Sequence, residues 1–163
     1  MNANLFLNFV INIMEYNPDF SFELSKEKFK RSLANYINSQ DSDVFYNVTT
    51  PIYGMNAIKN FRNDVLADYG LGRIFTDKSF WVLYEHKKLM LIRLQCLKDH
   101  TGIKVEPLIE LFEEAFHISK TILLKCNEFK ENRRFNIYPE VIDLLDELTD
   151  IDRVACSLLL DVL

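Results

Sequence analysis

Apolar residues recur every three to four positions along most of this chain, the spacing of a single buried helix face. Phe6, Phe9, Val10 and Ile13 predict a first helix over residues 3–16, ended by Asn17 and Pro18, with Asn4, Asn8 and Asn12 on its opposite face. Ser25 reads as the N-cap of a second helix whose inward positions are Phe29, Leu33, Tyr36 and Ile37. Its outer face carries Lys26, Lys28, Lys30 and Arg31, diluted by Glu23 and Glu27, as a solvated face would be. The stretch DSDVFYNVTT (residues 41–50) has no dominant period and fits a short helix, a strand or a docked loop. Thr50 and Pro51 then supply an N-cap and a first helical position. The third helix runs to Tyr69 and stops at Gly70, with Ile52, Met55, Ile58, Phe61, Val65 and Leu66 on its apolar face.

The pattern forks in the next segment. FWVLY and LMLIRLQCL flank the polar run Glu85-His86-Lys87-Lys88, which spans a full helical turn. One helix would have to bring that whole turn out to solvent. A β-hairpin over residues 80–97 would place it at the tip, among β-prone neighbours, but without the Gly, Asn or Asp that tight turns use. The helix is the favoured alternative, ended by Gly102. The clearest periodicity follows over residues 107–130, in Leu108, Leu111, Phe112, Ala115, Ile118, Ile122, Cys126 and Phe129. After the basic connection KENRRFN, Pro139 opens a helix through Leu148, and Asp150 caps a last one to Leu163. The expected architecture is mostly α: a single-domain bundle over residues 1–163 of about six to seven helices.

Composition narrows the class. Only four glycines and four prolines argue against the many turns of an all-β fold, while a hydrophobic fraction of 48% is ample for a core. Cys96, Cys126 and Cys156 lie too far apart for zinc or redox motifs and read as three buried thiols in a reducing cytoplasm. The apolar N-terminus has no positive leader and keeps its asparagine stripe, which favours an amphipathic helix over a signal or membrane segment. A soluble, cytoplasmic chain is expected, with homo-oligomerisation left open.

Charge then locates candidate function. The net charge is −5. Residues 139–163 contain seven acids (Glu140, Asp143, Asp146, Glu147, Asp150, Asp152, Asp161) against Arg153, a balance of −6, so the other 138 residues sum to +1. A single-sign patch speeds encounter with an oppositely charged partner and disfavours nucleic acid. The acids lack a Glu-x-x-His element or a calcium-loop pattern, so neither a metal nor a cofactor is expected. Glu140, Asp143, Asp146, Glu147, Asp150 and Asp152 are the candidate partner contacts, with Phe135 and Tyr138 as neighbouring aromatic anchors.

The other candidate chemistry is RLQCLKDH (residues 93–100), where Arg93 and His100 are seven apart and share a helix face. This arginine–histidine pair resembles the motif of the HEPN ribonucleases, all-α proteins whose pair acts on RNA, usually across a dimer. The resemblance covers eight residues, and Leu94 stands where the family carries a polar residue. It implies an RNA-cleaving role for Arg93 and His100. The same residues equally suit a helix terminus, where cations favour the dipole. The leading expectation is a non-catalytic protein-binding protein. In this reading it is an immunity protein or antitoxin covering the active site of a basic, nuclease-type toxin; a chaperone for a secreted effector shares its composition.

Overall fold

A computed structural model describes residues 26–40, 54–72, 77–132 and 137–163. The regular structure among them is five α-helices: α1 (Lys26–Ile37), α2 (Gly54–Gly70), α3 (Asp77–Thr101), α4 (Glu106–Asn132) and α5 (Ile137–Val162). The helix expected over residues 3–16 and the ambiguous segment 41–50 lie outside the described residues, as do the caps assigned to Ser25 and Thr50.

Two expectations are corrected. Residues 80–97 are helical throughout, as part of α3, and form no hairpin. The polar turn does not have to leave the core as a block: Glu85 and Lys88 face solvent, while Lys87 turns inward and is neutralised there. The two helices expected after residue 139 are one, α5, which lowers the expected count of six to seven. No Gly or Pro interrupts residues 140–162, and the apolar face continues through Leu145, Leu148, Ala155, Cys156 and Leu159. Thr149 accommodates itself by donating its hydroxyl to the Leu145 carbonyl at 2.7 Å. Asp150 caps nothing and sits exposed in mid-helix.

Helices α3, α4 and α5 pack in sequence, and α5 also carries α1 and α2. Its buried stripe of eleven residues touches both halves of the core. One apolar cluster joins Ile58 and Val65 of α2, Phe80 and Leu83 of α3, the C-terminal half of α4, and Tyr138 to Leu148 of α5. The other joins Leu33 of α1, Leu94 and Leu97 of α3, Leu108 and Phe112 of α4, and Ala155 to Leu163. Each large side chain fully buried in these clusters favours folding by roughly 1.5–3 kcal/mol before entropy is counted.

Short-range geometry sets the corners. Gly102, at φ 65°, ends α3 in the left-handed conformation, its N–H donating to the Lys98 carbonyl at 3.2 Å. Ser39, at φ 55°, ends α1, and its hydroxyl accepts the Asn56 N–H at 2.9 Å, satisfying a donor in the first turn of α2. There the two helices abut. Gly54, at φ 55°, lies so close that a Cβ on it would sit 2.0 Å from the Tyr36 carbonyl oxygen.

Candidate functional site

The outer face of α5 is where the acidic residues gather. Glu140, Asp143, Asp146, Glu147 and Asp150 are all exposed, opposite the buried stripe. Two are held by cations from neighbouring helices. Glu140 pairs with Lys125 of α4, and Asp146 takes a two-pronged contact from Arg62 of α2, at 3.0 Å from Nε and 2.9 Å from Nη2. The Asp146 carboxylate raises the pKa of the Arg62 guanidinium above its already high value, chiefly through that hydrogen bond. Lys59, Arg62, Asn63 and Arg153 line an open pocket of about 400 Å³ with Asp146, Thr149 and Asp150, so one side of the acidic ridge is bordered by positive charge.

Asp143, Glu147 and Asp150 make no ion pair among the described residues, and their spacing of four and three places them on one line of the helix. The same line continues through Val154 and Leu158, both about half exposed, to Asp161 and Val162. The face is therefore acidic in its first half, and in its second half two apolar residues precede a last acid, Asp161.

Two expected contacts do not belong to it. Asp152 and Tyr138 are both 0% exposed. Tyr138 packs edge-on against Phe129 with ring centres 5.3 Å apart and stacks on Tyr69, so it is a core residue rather than a surface anchor. The other expected anchor, Phe135, lies outside the described residues. Sequence reading missed Val154 and Leu158 as the apolar neighbours of the acids, although their spacing from Glu147 and Asp150 was available.

Asp152 instead joins a buried polar cluster at the waist between the two apolar clusters. Its Oδ2 accepts from Lys87 Nζ at 2.5 Å and from the Tyr36 hydroxyl at 2.5 Å, and Lys87 also donates to the Tyr36 oxygen at 2.8 Å. Asp152 Oδ1 is buried without a hydrogen-bond partner. Burial, and then the Asp152 charge, push the Tyr36 hydroxyl and the Cys156 thiol well above their ordinary pKa values, so both stay protonated. His86 stacks on Tyr36 with ring centres 5.3 Å apart; burial, and then the Lys87 charge, lower its pKa from 6.5 to about 4. With Lys87 1% exposed, its amine is out of reach of a substrate. The cluster ties α1, α3 and α5 together.

The remaining candidates are dispersed. Arg93 is exposed on α3, and the side chain of His100 lies outside what the structure describes. Cys126 and Cys156 are buried as expected, but Cys96 is exposed because it falls on the outward side of α3. Among the described residues, no group of three or more His, Cys, Asp and Glu side chains is placed to hold a metal, and no helix is long and apolar enough to cross a membrane. Compared with family models, curated proteins and solved structures, the chain matches none of them.

Proposed function

We propose that this is a non-catalytic binding protein whose α5 outer face neutralises a basic protein partner. The setting that fits best is that of an immunity protein or antitoxin covering the active site of a nuclease-type toxin. The observation that carries the reading is the single line of Asp143, Glu147 and Asp150 running into Val154 and Leu158. A nuclease must hold phosphate and is basic where it does so, and carboxylates at helical spacing can occupy that surface in place of the nucleic acid. Apolar side chains beside them supply the desolvated contact that charge alone does not, since affinity concentrates at well-packed apolar centres. Rigid presentation adds to this: the opposite face of α5 is locked into both core clusters.

The test looks for a basic toxin domain among the products of the neighbouring genes and produces it with this chain and with its variants. Asp143→Lys, Glu147→Lys and Asp150→Lys together should abolish both complex formation and protection of cells from the toxin, while circular dichroism stays unchanged. Leu158→Ser, which removes the apolar contact without adding charge, should weaken the complex with little change in its salt dependence. Full protection by the triple variant would show the reading to be wrong.

A further inference from the structure

Helix α3 hides Phe80, Leu83, Lys87, Leu94 and Leu97 on one side but leaves Trp81, Val82, Leu89 and Ile92 between 43% and 66% exposed on the other. Val82, Leu89 and Cys96 are seven residues apart and follow one line, with Ile92 beside it. Scattered apolar residues are normal on a protein surface, but Trp81, Val82, Leu89 and Ile92 lie on the outward side of one helix within ~17 Å along its axis.

The charges on that face say what fits it. Glu85 precedes Leu89 by four residues and Arg93 follows it by four, and both are exposed. A second α3 laid alongside in the same direction would set Glu85 beside Glu85 and Arg93 beside Arg93. Laid in the opposite direction and centred on Leu89, it brings Glu85 level with Arg93 of the second copy. Val82 then meets Cys96, and Leu89 meets itself. Each contact occurs twice, as a two-fold axis requires. We propose that α3 pairs antiparallel with α3 of a second copy of this chain, across a two-fold axis at Leu89. This surface is separate from the α5 face, so the two can be disabled independently.

The experiment starts from the full chain with Cys96→Ser, to leave a single engineered thiol on the face. Sedimentation should give twice the 19.2 kDa chain mass, and Leu89→Asp should return a monomer. Leu89→Cys should form an intermolecular disulfide under mild oxidation, because a residue on the axis meets its own copy. Glu85→Arg or Arg93→Glu alone should weaken the dimer about tenfold, the effect of losing ~1.4 kcal/mol, and the two together should restore most of it. A monomer at all accessible concentrations would overturn the proposal, showing the face to be covered by another part of the chain or left to solvent. So would a dimer indifferent to Leu89→Asp, or the absence of cross-linking through Leu89→Cys.

Discussion

Lys87 and Asp152 are the two residues whose placement most changes the picture of this molecule. Each is a charged residue at a core position: Lys87 lies seven residues from both Phe80 and Leu94, and Asp152 falls between Leu148 and Cys156. Removing one partner leaves the other charge buried without its counterion, so Lys87→Met and Asp152→Leu should each destabilise the fold by about 3–5 kcal/mol. The double variant should be less destabilised than the two losses added together, with the urea midpoints read as a double-mutant cycle. Simple addition would mean the pair is not coupled. His86 gives the cluster a pH signature. Its folded pKa of about 4 lies below the unfolded value of 6.5, so unfolding takes up a proton between them. Stability is full above pH 6.5 and falls as pH drops through that window, by on the order of 3 kcal/mol at its lower end. His86→Phe should keep the stacking on Tyr36 and flatten that slope in urea titrations at pH 7.5 and 5. The cluster was half legible beforehand. The run Glu85-His86-Lys87-Lys88 reads as a solvent turn only if all four residues share one fate, and the i±7 spacing of Lys87 already placed it on the buried side. What no local pattern could supply was its counterion, 65 residues further on.

At the level of elements, periodicity succeeded in α1 and α4, where the apolar face was continuous, whereas Leu66, read on the apolar face of α2, is 44% exposed. The face read from Leu108 to Phe129 is that of α4, and the inward residues read for α1 are the ones that pack. It failed where polar residues were taken as punctuation. Thr149 and Asp150 looked like a boundary, yet Thr149 satisfies its hydroxyl within its own helix. A substitution distinguishes one helix from two. If Asp150 capped a separate helix, Ile151 would be its first residue, where proline is welcome. In a continuous α5, Ile151→Pro removes a backbone hydrogen bond and clashes with the preceding turn, costing about 3 kcal/mol or more. Thermal unfolding reads the difference, and an unchanged midpoint would restore the boundary. The α1–α2 corner is equally specific. Gly54→Ala forces a side chain into the left-handed region and against the Tyr36 carbonyl, where the neighbour is backbone and has little room to give. A loss of about 2 kcal/mol or more is expected. Because Tyr36 also reaches Lys87 and Asp152, that loss should come with perturbed Tyr36 resonances in NMR spectra, whereas Gly72→Ala, with nothing within 4 Å, should leave them in place.

Across the whole molecule, the question is whether the acidic end of the chain serves the fold or a partner. Glu140 and Asp146 have cationic neighbours that account for them structurally. Asp143, Glu147 and Asp150 make no such ion pair among the described residues, although Asp143 acts on the Arg62 charge and Asp150 shares a pocket with Arg62 and Arg153; they stand four and three residues apart, where like charges on a helix repel. Glu147 feels both neighbours, so Glu147→Lys exchanges two repulsive contacts for two attractive ones. It should raise stability by about 0.5–1 kcal/mol at low ionic strength, with the gain fading above ~0.5 M salt as screening sets in. A residue retained for stability behaves in the opposite way. Residues held at a cost to the fold are the pattern expected of a binding surface. The same substitution should slow association with a basic partner and leave dissociation less affected, because the charge acts mainly in steering the encounter. Unfolding curves and stopped-flow association on one variant therefore separate the two accounts. A stabilised variant that associates more slowly assigns the ridge to a partner, and a destabilised one returns it to the fold.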